Sequence, residues 1–279
     1  MRLPGILALL AGKPHHPVGA DGRMALSDHL RELRARLLRI AIVVVVCLVV
    51  SLFFFDQIFQ LVLEPYAAAQ RQLGGKVDTQ ATIAGAGGPL MLYLTLCGTV
   101  TIVLTSPFWL YQIWAFILPG LHSQERKWSR VFAAIAGPLF LTGVALGYFT
   151  LPKGLEILIG LTPQALTNLV EFGDYLSFLI RTLLVFGVAF EIPVFVILLN
   201  LAGVLPGRAL GAHRAWIIIG SFVFAALATP STDPFTMLFL AVPMVLLFAM
   251  SEVVARFLDR RRAESDPAAG LGDDELSPL

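Results

Sequence analysis

The sequence predicts an all-α integral membrane protein with six transmembrane helices. Hydrophobic residues make up 57% of the 279 residues, charged residues only 14%, and the mean hydropathy is +0.80. Soluble proteins carry about 25% charged residues, so this composition indicates a chain that lives in lipid. The net charge is only +1, which gives no surplus of basic residues for binding nucleic acid.

Six apolar runs supply the predicted helices. A helix needs about 20 mostly apolar residues to cross the hydrocarbon core of a bilayer. The runs that approach or exceed this length cover residues 37–55, 89–117, 128–149, 175–202, 216–228 and 235–257. The fifth run is short and has room to begin nearer Gly211, and a short loop joins it to the sixth. The last two runs are therefore predicted to form a tight hairpin.

The basic residues divide unevenly between alternate loops. Sixteen Lys and Arg residues lie in the N-terminal segment up to Arg39, in the region between the second and third runs as far as Arg130, between the fourth and fifth runs, and in the tail from Arg256. The remaining loops hold only Arg71, Lys76 and Lys153, while Arg181 lies within the fourth run. Because short cytoplasmic loops carry the excess of Lys and Arg, this division predicts that both termini lie in the cytoplasm.

The two ends of the chain are expected to lie outside the membrane domain. Residues 1–23 begin like a signal peptide, but their apolar core is short and is broken by Pro4 and Gly5. We interpret them as a disordered or mis-annotated extension that precedes a natural start at Met24. The predicted membrane domain then covers residues 24–258, and residues 259–279 form a disordered cytoplasmic tail.

The sequence lacks the residues that several common classes of membrane protein require. None of the histidines lies inside a predicted run, which argues against haem or a histidine zinc site within the membrane. There is no Gly-rich phosphate loop for ATP and no buried Ser–His pair for a protease. Cys47 and Cys97 fall inside apolar runs and are interpreted as small hydrophobic residues. We therefore expect no enzymatic turnover, no metal and no cofactor.

An acid stands out in SDHLRELRARLLRI, residues 27–40. Glu32 lies among four arginines just before the first apolar run. On a helix it shares a face with Arg36, so the simplest interpretation is an ion pair between residues four apart, contributing roughly 0.3–0.5 kcal/mol. That interpretation assigns Glu32 no role beyond local stability.

A second acid lies in SPFWLYQIWAFILPGLHSQERK, residues 106–127. Glu125 sits beside Arg126 and Lys127 in a short loop on the predicted cytoplasmic side, where the simplest interpretation is a group of solvated charges. Glu32 and Glu125 are nevertheless two acids in basic surroundings on one face of the membrane. Together they would suit a cationic ligand bearing guanidinium groups, since arginine and carboxylate pair in a bidentate geometry.

Two further acids lie in or near the predicted spans. Glu191 is deep within the fourth run, next to Pro193, and an ionisable group in lipid is a candidate functional site because it is costly unless paired or hydrated. Arg181 is about 15 Å away along a helix and is a poor partner. A bond to a hydroxyl or amide of a neighbouring helix is the structural alternative. Asp233, in the turn before the sixth run, either caps the last helix or has a functional role.

Four blocks in order carry a resemblance to a known family. They are DHLRELRARL, SPFWLYQIWAFILPGLHSQERK, DYLSFLIRTLLVFGVAFEIP and TPSTDPFTMLFLAVPM. The chain resembles the TatC family, the large membrane subunit of the twin-arginine protein translocase, from Leu26 to about Phe257. The resemblance implies a glove-like, concave protein of six spans in the inner membrane of a prokaryote.

The resemblance also implies a function and partners. It predicts a receptor for the twin-arginine signal peptides of folded precursor proteins, which assembles as a homo- and hetero-oligomer with single-span proteins of the TatA/TatB kind. The proton-motive force would drive transport. Two separated acids would distinguish Arg-Arg from Lys-Lys, because ammonium groups lack the forked geometry of guanidinium groups.

Individual residues match positions of the family. Glu32 and Glu125 match two acids linked to signal-peptide recognition, and Glu191 matches an intramembrane acid that engages a polar residue of the partner helices. Asp233 matches an acid of the last outer turn, and either Glu171 or Asp174 matches a further outer acid, with Glu171 preferred. Other positions in the recognition blocks are Arg34, Pro107, Phe116, Arg126 and Lys127. Before the second run, the uncharged stretch IAGAGGPLMLYL departs from the acid-aromatic pattern of many relatives, so outer-loop contacts are not carried over.

Two alternatives to a protein-transport receptor remain at this point. A proton-coupled transporter of a small solute would use Glu191 as its proton carrier and would need no peptide at Glu32 or Glu125. A membrane enzyme is a weaker alternative, because the chain lacks a nucleophile–base pair within its spans.

Overall fold

The computed structural model describes residues 26–74, 77, 79–83, 85–117, 126–163, 166–201, 203–228 and 234–265. The helices are α1 (Leu26–Phe53), α2 (Phe55–Leu73), α3 (Gly88–Leu104), α4 (Ser106–Ile117), α5 (Arg126–Gly160), α6 (Phe172–Phe190), α7 (Ile192–Leu201), α8 (Gly207–Ala212), α9 (Arg214–Ala228) and α10 (Pro234–Ser265). Two strands, β1 (Thr79–Thr82) and β2 (Asn168–Glu171), lie between them.

Six helical passages account for the predicted spans. Segments of α1, α5, α6 with α7, and α10 are each long and apolar enough to cross a membrane, and the bent pair α3–α4 makes a fifth passage. The sixth, α9, has only 15 residues and is about 22 Å long, shorter than the roughly 30 Å hydrocarbon core. The prediction of a short fifth run is confirmed. We call the end of the bundle where α1 begins and α10 finishes the terminal end, and the other the sheet end.

The second passage bends by 55° between α3 and α4. Pro107 has no backbone N–H to donate to the carbonyl of Val103, so the α-helical ladder cannot continue through this point. Thr105 helps to close α3, because its Oγ1 donates to the Thr101 carbonyl at 2.7 Å. The bend sets α4 at a different angle from α3 and lets it contact both α1 and α5.

The fourth passage is also interrupted, at Glu191. Pro193 has no N–H for the Ala189 carbonyl, and the chain makes a turn of one residue between α6 and α7. The Glu191 nitrogen instead donates to the Val188 carbonyl at 3.0 Å. The acid therefore stands at a break between two helices that continue as one passage from Phe172 to Leu201.

The passages differ in how deeply they are buried. Within the most apolar part of α1 only 6% of the residues are buried by the rest of the chain, whereas in α6–α7 the fraction is 61%. The α6 helix packs closely on α5, where a side chain at Gly143 would lie 2.9 Å from the Phe186 carbonyl carbon. The fourth passage is thus the centre of the bundle, and α1 presents most of its surface outward.

The all-α prediction is confirmed, and a small sheet of two short strands adds to it. β1 and β2 pair in parallel, with Thr79 opposite Asn168 and Thr82 opposite Glu171. The Gln70 side chain of α2 holds β1 in place by donating to the Thr79 carbonyl at 3.1 Å. Strands of four residues between helices leave little periodic signal, so the sequence did not reveal them. The protein remains helical in all of its described membrane passages.

Three predicted boundaries move. The helix that carries Glu32 begins at Leu26 and runs without interruption into the first span, so the basic stretch and the apolar run form one rod. The third passage extends to Gly160, beyond the predicted residue 149, and α10 continues to Ser265, beyond the predicted end of the membrane domain at residue 258. The proposed extension before Met24 and the tail after residue 265 lie outside the described residues.

Candidate functional site

The predicted site residues divide into three groups. Six have described side chains: Glu32, Arg34, Pro107, Phe116, Glu171 and Glu191. Arg126 and Lys127 begin α5, but their side chains are outside the described part, and Glu125 and Asp233 lie outside it altogether. The proximity of Glu32 to Glu125 therefore stays a prediction.

The Glu32 carboxylate is held by one arginine through one of its oxygens. Arg36 donates to Glu32 Oε1 from Nε at 3.0 Å and also from Nη2. The two side chains are only 18% and 17% exposed, so the predicted pair forms in a more enclosed place than a surface helix face. The described residues provide no donor to Glu32 Oε2, which leaves this oxygen able to accept a bond from a ligand.

A glutamine of α4 fixes the orientation of this pair. Arg36 Nη1 donates to Gln112 Oε1 at 3.1 Å, and Gln112 is buried. All three guanidinium nitrogens of Arg36 donate hydrogen bonds, to Glu32 on α1 and to Gln112 on α4. The Arg36 side chain is therefore held in one orientation, and it orients the Glu32 carboxylate in turn. Gln112 was not predicted as a site residue, because its only signal in the sequence is a polar side chain within an apolar helix.

An aromatic contact lies beside the acid. The Phe116 ring stacks on the His29 ring with centroids 4.3 Å apart and planes 14° apart. Arg34 is exposed on the same helix as Glu32, and no described residue pairs with it. Glu32 and the Phe116–His29 stack thus lie at the terminal end, whereas Arg34, two residues after Glu32, points to a different side of α1.

Pro107 is separated from these residues. It lies nine residues before Phe116, about 14 Å along a helix, and packs against α5 where Gly137 leaves space for it. A side chain at Gly137 would come within 2.6 Å of the Pro107 Cβ. The structure therefore gives Pro107 a role in the bend between α3 and α4 and in helix packing.

Glu191 is half satisfied within the membrane. Its Oε2 accepts a bond from Trp114 Nε1 at 3.3 Å, and its Oε1 is buried with no partner among the described residues. Arg181 is exposed on α6 and contributes no bond here, as its distance along the helix predicted. The neighbouring helix does supply the partner, although it is an indole N–H rather than a hydroxyl or amide.

The α4 helix connects the two acids. Gln112 contacts the Arg36–Glu32 pair, and Trp114, two residues on, contacts Glu191. A change in the orientation of α4 would therefore alter the surroundings of both carboxylates. This arrangement was not predicted, since the sequence does not show which helix lies between α1 and the fourth passage.

A third carboxylate at the terminal end is fully engaged. Glu252 is 4% exposed, and both of its oxygens accept bonds from Arg214 at 2.7 Å. Arg256 adds a contact to Glu252 Oε1, also at 2.7 Å. This cluster was not predicted, although Glu252 is an acid within an apolar run, four residues before an arginine, and that spacing indicates an ion pair.

At the sheet end, Glu171 lines a cavity of about 250 Å³ between α3 and α6. Its walls include Gly88 and Thr95 of α3 and Ser177 of α6. Asp174 is exposed one turn further along α6 and does not line this cavity. The preference for Glu171 over Asp174 as the outer acid stays a prediction.

Known proteins share this chain's sequence and fold. Residues 28–243 match the family model described as Sec-independent protein translocase protein (TatC). The TatC protein of Frankia casuarinae is 41% identical over 272 residues, which cover 93% of this chain and 74% of that protein. The TatC protein of Escherichia coli K12 is 32% identical over 86% of this chain and 91% of its own length.

A solved structure supports the same family assignment. The crystal structure of a twin-arginine translocase receptor, TatC, has a TM-score of 0.66 and 29% identity, and the match covers 83% of this chain and all of that one. The matched region includes every described membrane passage up to the first part of α10. The chain is a multi-pass membrane protein and a component of the Sec-independent protein translocase, and it belongs to the TatC family.

Proposed function

We propose that this chain is the receptor for twin-arginine signal peptides and the core of a translocase that exports folded proteins. In this proposal it lies in the cytoplasmic membrane with both termini in the cytoplasm, where the excess of basic residues favours them. It acts with single-span TatA/TatB-type partners and uses the proton-motive force. It binds and passes its substrates without chemical turnover.

The observation that best supports a peptide site is that only one oxygen of the Glu32 carboxylate is engaged by described residues. Arg36, itself held by Gln112, is the group that donates to Glu32, and it engages only Oε1. A guanidinium of the signal peptide can then donate to Oε2 without displacing Arg36. The guanidinium of the second arginine of the signal peptide needs a carboxylate of its own, and we propose that Glu125 provides it.

The surroundings of Glu32 support a peptide over an ion as the ligand. The stacked rings of His29 and Phe116 lie beside the acid and offer an apolar wall for the residues that follow an arginine pair. A small cation would gain nothing from this wall. Arg34, Arg126 and Lys127 are proposed to set the approach of the peptide by excluding further basic residues.

Glu191 is proposed as the contact for a polar residue on a partner helix. Its Oε1, which has no partner among the described residues, lies at a break in the fourth passage. A buried acceptor without a donor is costly in the membrane, so a polar residue on a partner helix would stabilise Glu191 by donating a hydrogen bond to it. Asp233 and Glu171 are proposed to act on the outer side. Membership of the TatC family favours this assignment over a solute transporter that uses Glu191 as its proton carrier.

The test is a titration of the purified full-length protein with a labelled signal peptide that carries Arg-Arg, and with the same peptide carrying Lys-Lys. We expect the Lys-Lys peptide, and either Glu32→Gln or Glu125→Gln, to lower the affinity at least about tenfold, as expected for loss of one charged hydrogen bond. Glu64→Gln is the matched control, because Glu64 pairs with exposed Arg71 far from the site.

The outcomes separate the alternatives. Equal affinity for both peptides, unchanged by Glu32→Gln and Glu125→Gln, would remove recognition from these acids. If those variants also exported precursors normally while Glu191→Gln abolished uptake of a small solute, the transporter would be the better explanation. Loss of binding in the Glu64→Gln control would indicate a general folding defect instead.

A further inference from the structure

A basic concavity lies at the terminal end, away from the Glu32 site. It has a volume of about 340 Å³ and is formed by the segment that leads into α8 and the last turns of α10. Its walls are Pro206, Arg208, Arg256, Asp259 and Arg260. Three arginines and one aspartate therefore line one space, which is within the size range of roughly 300–1,000 Å³ of small-molecule sites.

The single carboxylate of this concavity is already engaged by the fold. Asp259 Oδ1 accepts a bond from Asn200 Nδ2 at 2.8 Å, and Oδ2 accepts one from the backbone nitrogen of Gly207 at 2.6 Å. The Cβ of a side chain at Gly207 would lie 2.7 Å from the backbone nitrogen of Arg256, so this glycine also permits the close approach of α8 and α10. Asp259 thus fastens the two helices together, and no described arginine forms an ion pair with it.

Two of the three guanidinium groups have no such engagement. Arg256 forms an ion pair with Glu252 through Nη2, and Arg214 pairs with the same carboxylate. Arg208 and Arg260 are exposed, and no described residue pairs with either. The concavity therefore presents net positive charge and unused donors, which suit a phosphate group.

An exposed apolar stripe leads along α10 to this concavity. Met250, Val253 and Phe257 are 63%, 68% and 53% exposed. Their spacing of three and four residues places them on one face of the helix, and the same rule places Arg256 and Arg260 beside the end of that face. Apolar surface that ends in guanidinium groups matches the order of groups in a phospholipid, from acyl chain to phosphate.

We propose that this concavity binds the headgroup of an anionic phospholipid. The phosphate diester lies between Arg208 and Arg260, with Arg256 at its edge, and one acyl chain follows Met250, Val253 and Phe257. Basic pockets between transmembrane helices at the cytoplasmic surface are suited to anionic headgroups. Free phosphate would use the arginines but not the stripe, so the structure favours the lipid as the occupant.

Such a lipid would tie α8 to α10 from outside the bundle. The fold joins these elements through Asp259 and Gly207 on the inner side, and a phosphate shared by Arg208 and Arg260 would join them on the outer side. The lipid site does not depend on peptide recognition at Glu32. Bound lipid would therefore stabilise the α8–α10 corner whether or not a signal peptide is present.

Native mass spectrometry of the full-length protein in a mild detergent would test the site. The protein is titrated with phosphatidylglycerol or phosphatidylcholine. We expect phosphatidylglycerol to bind preferentially, and Arg208→Gln and Arg260→Gln each to lower its affinity about fivefold, with a larger loss in the double variant. Arg71→Gln, which removes an exposed arginine at the sheet end, is the matched control and should bind like the unmodified chain.

Three outcomes would overturn the proposal. The first is equal binding of both lipids, or no loss of phosphatidylglycerol in the double variant whose thermal midpoint is unchanged. The second is displacement of the lipid by millimolar inorganic phosphate, which would indicate a simple anion site. The third is binding of phosphatidylglycerol that is absent in the unmodified chain and appears only when Asp273, Asp274 and Glu275 are changed to their amides together, which would indicate that the acidic tail, not a lipid, occupies the concavity.

Discussion

Glu32 and Glu252 are carboxylates at the same end of the bundle, and both face arginines, but they are satisfied to different degrees. Glu252 accepts bonds at both oxygens from two arginines, whereas the described residues engage Glu32 at Oε1 alone. A carboxylate whose two oxygens both accept from arginines of the fold has less capacity for a ligand than one with an oxygen that no described residue engages. The proposal that Glu32 serves recognition rests on this difference, whereas Glu252 joins elements of the fold.

The largest effect should come from Glu252→Ala. This change leaves Arg214 and Arg256 without their shared partner, and removing one member of a buried ion cluster costs about 3–5 kcal/mol. Both arginines are roughly half exposed and can be rehydrated, so we expect a loss of about 2–3 kcal/mol in the free energy of unfolding. Unfolding in detergent, followed by circular dichroism, measures it.

Glu156→Ala is the control for that change. Glu156 pairs with Lys153 at the sheet end, where the lysine is 55% exposed, and the loss should be below about 1 kcal/mol. Equal losses in the two variants would mean that the engagement of a carboxylate does not measure its structural role. The comparison between Glu252 and Glu32 would then carry no functional meaning.

A smaller effect is expected from Trp114→Phe. The change keeps an aromatic ring but removes the donor to Glu191 Oε2, which costs about 1 kcal/mol of stability. Because the Glu191 carboxyl loses its orientation, precursor export should fall more than stability does. Export from cells and the thermal midpoint of the purified protein are the two measurements.

Trp109→Phe separates the two contributions. Trp109 lies on the same helix and donates its Nε1 to the Ile102 carbonyl at 2.9 Å, so the chemical change is matched. We expect similar stability in both variants and normal export with Trp109→Phe. Normal export with Trp114→Phe would show that Glu191 does not need this donor.

The sequence was sufficient for the parts of the fold that depend on composition and local pattern. The apolar runs predicted the number of passages, and the short fifth run appears as α9. The ion pair between Glu32 and Arg36 followed from their spacing, because residues four apart on a helix are neighbours. These predictions needed no knowledge of how the helices pack.

The remaining features depend on packing between distant segments. Gln112 meets Arg36 across a separation of 76 residues, and Trp114 meets Glu191 across 77. No local pattern determines which helix lies beside which, so α4 could not be predicted as the link between the two acids. The parallel pairing of β1 with β2 was missed for the same reason.

Arg36→Lys should have the smallest effect and would sharpen the comparison most. Lysine keeps the charge but cannot donate to Glu32 and Gln112 together through a rigid fork, so we expect a loss of about 0.5 kcal/mol in stability. Affinity for an Arg-Arg signal peptide should fall two- to threefold, because Glu32 loses its fixed orientation. Arg71→Lys, at the exposed pair with Glu64, should change neither quantity. A stability loss in Arg36→Lys as large as that in Glu252→Ala would make Glu32 a structural acid like Glu252, and recognition would then have to rest on Glu125 and the basic residues beside it.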